Sequence, residues 1–279
     1  MTTSPSGSPQ LMCLIFSNAR SVGMRKLGFT STLSLVIGFG SILLVALPVI
    51  GICLVWRINM IKFEAIEVFG WEAAIRGMRN SWGSHEKSDS RKIVHYNNIE
   101  EFVCQHYEIG DADYTLMKQL AGAGASHAKY RRYINVTVDI TAPLYWWKEF
   151  DTYKVGTVAN SESTMHTVMR DEFYIEDFSN EHLDDEALMT LSRLVYKLNC
   201  WRLEYITTEH PEIRKRIWYK IIQLLPSSFN QKRTVQLNYE VLAHIWKDRK
   251  NHKLDEWREG FCKEFIQTLP YSEGIIWTT

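Results

Sequence analysis

Residues 224–257 read LLPSSFNQKRTVQLNYEVLAHIWKDRKNHKLDEW, and no other stretch narrows the fold as much. Leu225-Pro226 stops a preceding helix, because proline lacks an amide hydrogen and disfavours helix at the residue before it. Ser227, Ser228, Asn230 and Gln231 follow as a turn rich in hydrogen-bonding side chains, then the basic pair Lys232 and Arg233. Val235, Val241, Leu242, Ile245 and Trp246 recur at helical spacing. Asn238, Leu242, Ile245 and Arg249 follow one another at steps of four, three and four. At about 100° per residue these four share one helix face, with an amide at one end and a guanidinium at the other. One reading is a core helix whose ends reach water. The other is a pocket wall. Arg249 would clamp an anion with its rigid fork, and the donors of residues 227–233, at a helix N-terminus, would cradle a phosphate.

The chain has 279 residues, enough for one domain with an appendage. Its 32 basic and 32 acidic residues cancel, so no global field argues for nucleic acid as a partner. Cys13, Cys53, Cys104, Cys200 and Cys262 are scattered, with no CxxC and no zinc spacing. That suits a reducing compartment and leaves no expected metal site. The acidic run from Glu172 to Glu186 holds no spaced His or Cys and reads as a solvated segment. GxSxG, P-loop, HExxH and Rossmann fingerprints are absent, and no side chain is singled out as catalytic.

Residues 1–59 differ from the rest. A Ser/Thr/Gly/Pro-rich opening and Arg20, Arg25 and Lys26 precede residues 27–56, which contain no charged residue. About 20 apolar residues in helix span a bilayer core, so this stretch is a candidate transmembrane helix and a possible route to membrane association. Met60 also reads as a natural start for residues 60–279, which would make the leader an extension from an upstream start codon. The two alternatives imply an anchored protein or a cytoplasmic one.

Residues 61–68 alternate as a first strand, and 71–79 form a short helix after Gly70. Residues 80–92 read as a polar loop. Residues 97–105 and 112–121 read as helices introduced by Asn98 and Asp111. Residues 133–140 are the clearest strand: Ile134, Val136, Val138 and Ile140 alternate with Tyr133, Asn135, Thr137 and Asp139. Thr141 and Pro143 then introduce the helix LYWWKEF. Trp146 and Trp147 are either core or a stacking surface for a flat ring. Residues 156–166 read as a Ser/Thr/Asn loop in which Gly156 permits close backbone approach. Asp184 or Asp185 caps a helix over 186–206, and residues 212–224 form a second amphipathic helix. The class is α+β, with few strands and many helices.

Leu225-Pro226, then eleven residues to Asn238, then Leu242 and Arg249, resemble the C-terminal half of the flavin-dependent thymidylate synthases, the ThyX family. The likeness in element order runs over most of residues 60–279 and is specific in the last third. It implies a ThyX-like mixed α/β domain that forms a homotetramer with active sites between subunits. It implies reductive methylation of dUMP to dTMP, with FAD carrying the hydride, NADPH reducing the flavin and methylenetetrahydrofolate donating carbon. By the same likeness Arg249, Ser163, Ser161 and Lys154 would meet dUMP. Asn238, His252, Asn160, Thr157 and Lys148 would meet FAD.

The chain departs from the pattern. The family's Arg-His-Arg triplet falls on Phe150-Asp151-Thr152 or, in another register, on Tyr153-Lys154-Val155. Met165 and Ile222 stand where arginines are expected, and Tyr239-Glu240 follow Asn238 where the family prefers an arginine after one intervening residue. The alternative is a non-catalytic relative that binds nucleotides or serves as an interaction protein.

Overall fold

The computed structural model describes residues 61–96 and 102–277. The candidate membrane segment 27–56 lies outside these residues, as does Asn98. Among the described residues no helix is long and apolar enough to cross a membrane.

Four strands form one antiparallel sheet in the order β1 (Lys62–Phe69), β4 (Asn135–Pro143), β6 (Asn230–Asn238), β5 (Thr157–Ser161). A second, two-stranded antiparallel sheet joins β2 (Arg91–Tyr96) to β3 (Phe102–Glu108). The helices are α1 (Trp71–Arg79), α2 (Asp111–Gly122), α3 (Leu144–Phe150), the single turn α4 (Thr164–Thr167), α5 (Asp185–Thr207), α6 (Pro211–Leu224) and α7 (Tyr239–Arg249). A π-helical segment, Glu256–Phe265, follows α7.

β4 lies inside the sheet because its alternation lets one face bury Ile134, Val136, Val138 and Ile140 completely. Trp146, Trp147 and Phe150 of α3 and Trp257, Phe261 and Phe265 of the π-helical segment share that core. Full burial of each large apolar side chain contributes about 1.5–3 kcal/mol. Both tryptophans of α3 are fully buried, so they are core and offer no open stacking surface. A second core gathers Phe173, Phe178, Leu191, Leu198, Ile217 and Ile221 around α5 and α6. Asp184 caps α5, its Oδ1 accepting from the Ala187 amide at 2.9 Å.

Several expectations are corrected. The long helix predicted through Val235 and Asn238 is instead strand β6 followed by α7. Val235 and Leu237 are buried while Thr234 and Gln236 are exposed, a period of two that strands on both sides enforce. Residues 230–233 therefore sit in a strand and not at the N-terminus of a helix, so they form no phosphate cradle of the predicted kind. The carbonyls of Ser227 and Phe229 instead accept from the Tyr145 and Leu144 amides, satisfying the start of α3. Thr141 belongs to β4, and Pro143 holds the cap position of α3. Of the helix predicted at 97–105, residues 102–105 belong instead to β3, paired with a strand that begins inside the predicted loop 80–92, and residues 97–101 lie outside the described ones. The loop predicted at 156–166 contains β5, the outermost strand next to β6. Gly110, not Asp111, occupies the cap position of α2.

Gly70 links β1 to α1 with φ +97°, and a Cβ there would lie 1.9 Å from the Tyr133 carbonyl oxygen. Only glycine fits that conformation and that contact.

Candidate functional site

The expected ligand-binding residues divide between the two ends of α7. Asn238 is the N-cap of α7 and Arg249 its last residue, so the two stand at opposite ends of the helix. Eleven residues at about 1.5 Å rise put the two ends roughly 16 Å apart. The segment between α3 and β5 runs alongside: Tyr153 bonds Arg249, and Gly156 lies against Asn238 and Val241.

At the C-terminal end, Arg249 is largely buried, with 19% of its side chain exposed. Its Nη1 donates to Glu149 Oε2 at 2.8 Å and its Nε to Tyr153 Oη at 2.9 Å. Its guanidinium carbon lies 5.0 Å from the Trp257 ring centroid. Glu149 Oε2 also accepts from Trp257 Nε1 at 3.1 Å, and His252 Nε2 lies 3.6 Å away. The Leu254 amide donates to His252 Nδ1 at 3.2 Å. A neutral His252 would therefore carry its proton on Nε2, facing Glu149. Burial pushes the Tyr153 phenol up, against the opposing pull of Arg249. Burial likewise pushes the Cys262 thiol up to about 12. Arg249 and His252 are thus brought together, but on a carboxylate of the same chain. Lys148, next to Glu149 on α3, is exposed.

At the other end, Asn238 is spent on capping: its Oδ1 accepts from the Glu240 and Val241 amides at 3.1 Å each. Gly156 has φ +79°, and a Cβ there would meet Asn238 Nδ2 and Val241 at 3.1 Å. Next along the chain, Thr157 Oγ1 is buried with no hydrogen-bond partner. Asn160 and Ser161 are exposed on β5, opposite Thr234 and Arg233. Lys154 is exposed in the turn before β5. Ser163 follows β5 at the cap of α4, its carbonyl accepting from the His166 and Thr167 amides.

Two acids that the sequence reading passed over organise the charges here. Asp151 Oδ1 accepts from Arg233 Nη1 at 2.8 Å, while the Arg233 guanidinium lies 4.2 Å from the Trp147 ring centroid. Glu149 does the same for Arg249. Lys232 is matched by Asp139 at 3.0 Å and Glu64 at 3.2 Å. Three cations of β6 and α7 are therefore balanced within the chain. No local spacing could have revealed this, since Arg249 and Glu149 are 100 residues apart.

No protein-family model matches the sequence, and no curated protein matches it. Among solved structures the fold resembles that of flavin-dependent thymidylate synthases. One match is the flavin dependent thymidylate synthase ThyX from Helicobacter pylori complexed with FAD and dUMP. Its TM-score is 0.52 at 16% identity, over 77% of this chain and 97% of that one. Another is Thymidylate Synthase X (ThyX) from the same organism, also with FAD and dUMP. Its TM-score is 0.54 at 15% identity, over 77% and 96% of the two chains.

Proposed function

We propose that this chain is a divergent ThyX-type protein that binds a flavin and a deoxynucleotide on the outer edge of the main sheet. The observation that carries the reading is the strip from Gly156 to Ser163. A positive-φ glycine, an unpartnered buried hydroxyl on Thr157, and the exposed Asn160 and Ser161 lie in sequence there, on a ThyX-like fold. A hydrogen-bonding ligand group would satisfy the Thr157 hydroxyl, so these residues fit a flavin in kind. FAD would be held by Thr157, Asn160, Asn238, His252 and Lys148. The nucleotide would be held by Ser161, Ser163, Lys154 and Arg249. A bound flavin would supply hydride carriage in the conversion of dUMP to dTMP, with NADPH and methylenetetrahydrofolate as co-reactants. Exposed Lys148, Lys154 and His166 would supply the positive charge that the missing arginines do not. Arg249 would have to trade Glu149 for the substrate.

A second reading is favoured by a specific observation. Arg249 and Arg233 are each neutralised at 2.8 Å by a carboxylate of their own chain. A ThyX-fold relative that binds nucleotides without catalysis, or acts as an interaction protein, would need neither arginine free.

The deciding measurement is the absorbance spectrum of the purified full chain with FAD, then with dUMP. Retained flavin whose bands shift on adding dUMP supports one shared pocket. Arg249→Ala should abolish that shift, and Glu149→Gln should strengthen dUMP binding by freeing the guanidinium. No flavin uptake moves the assignment to the second reading. An unchanged dUMP affinity in Arg249→Ala removes Arg249 from the site.

A further inference from the structure

The hairpin sheet β2–β3 carries a histidine pair that plays no part in the proposed nucleotide site. His95 Nε2 and His106 Nδ1 lie 3.3 Å apart, with the two rings nearly parallel at 18° and their centroids 5.1 Å apart. In the ladder Ile93 stands opposite His106 and Cys104 opposite His95, so the two histidines are diagonal neighbours. Both are exposed. His106 also lines a cleft of about 420 Å³, with Lys92, Tyr107, Trp71 and Arg76.

We infer that His95 and His106 form a chelating site for one divalent transition-metal ion of the imidazole-preferring class, such as zinc or copper. Two nitrogens bound at about 2.0–2.1 Å to a tetrahedral ion lie roughly 3.3 Å from each other. That is the separation the hairpin already sets. The imidazole χ2 torsion is soft, so a small rotation of each ring aims both lone pairs at a common point. In the metal-free protein one N–H is shared between the rings; on binding, that proton moves to the ring nitrogen facing away from the ion, so both histidines ligate as neutral imidazoles and no net proton is released. Antiparallel pairing holds the two backbones at a fixed distance, so little ordering remains to be done on binding. Water completes the shell. Among the described residues no group of three or more His, Cys, Asp or Glu could hold a metal, so the two imidazoles are the protein ligands of the proposed site.

The test uses the full chain titrated with ZnCl2 against a chromophoric chelator, and with Cu2+ followed by electron paramagnetic resonance. The expected result is one tight equivalent, with nitrogen hyperfine structure from two imidazoles. His95→Gln and His106→Gln should each weaken it by at least about tenfold, since even outer-sphere changes cost 10–100-fold. His244→Gln, on a different element, should leave it unchanged. The same affinity in the wild type and both hairpin variants, or no uptake of either ion, would overturn the inference.

Discussion

At Asp113 a single side chain decides a large local energy. Its carboxylate is completely buried and accepts from Arg79 Nε at 2.6 Å, Ser88 Oγ at 2.6 Å and Ser90 Oγ at 2.7 Å. Burial alone would push the carboxyl up; the donors from Ser88, Ser90 and Arg79 outweigh it and hold the carboxyl below its usual value. The stabilisation is therefore fully present above the unfolded value of about 3.9 and is lost as pH falls through the lower folded value. Asp113→Asn leaves the buried Arg79 beside a neutral amide, and urea unfolding should read a loss of about 3–5 kcal/mol at neutral pH. The variant should also show less acid sensitivity than the parent below about pH 4. The cysteines give a second residue-scale expectation. Cys200 is exposed, whereas Cys262 is buried with its thiol pushed up to about 12. Alkylation at pH 8 with peptide mapping should label Cys200 and reach Cys262 only after unfolding, because the thiolate is the reactive form. Equal labelling of both in the folded chain would contradict that burial.

At the scale of elements, the junction of β6 and α7 turns on one residue. Asn238 ends the strand with φ −119° and ψ 168°, and its side chain closes the first turn of the helix. Removing that cap in Asn238→Ala should cost about 1 kcal/mol, whereas Asn238→Asp should preserve stability. The same pair separates capping from ligand binding. A flavin affinity that falls in both variants points to the amide, and one that follows stability alone leaves Asn238 as a cap. The helix predicted across this junction failed for a definable reason. Val235 and Leu237 bury at period two, but only three further residues lie between Leu237 and Val241, so apolar spacing bridges the boundary without a visible break.

Across the whole molecule, α5 presents Met189, Tyr196 and Leu203 outward at steps of seven, exposed by 57%, 66% and 58%. Seven residues return almost to the same azimuth, so the three form one stripe. A second copy of the chain is the partner expected if the homotetramer implied by the ThyX resemblance forms. Tyr196→Lys combined with Leu203→Lys should then lower the mass seen by light scattering on a sizing column. An unchanged mass would remove this face from the assembly. The candidate segment 27–56 belongs to the same scale. If it anchors the chain, the full-length protein should sediment with membranes while one begun at Met60 stays in the supernatant. Co-fractionation of the two would retire the anchor.

Elements specified by their own local pattern were legible before any fold was known. The alternation of β4, the amphipathic α5 and α6, the Asp184 cap and the Gly70 break each follow from residues close together in the chain. The spacing from Leu225-Pro226 to Arg249 likewise pointed to the fold that the solved structures share. What only the tertiary structure decided involves partners far apart in sequence. Residues 230–238 become a strand because β4 and β5 flank them, and β2 and β3 exist as a pair. Arg249 meets Glu149, Arg233 meets Asp151, and His95 comes within 3.3 Å of His106. Hydrophobic period and capping act over a few residues, whereas strand pairing and charge matching are set by packing; a linear pattern carries the first and is silent on the second.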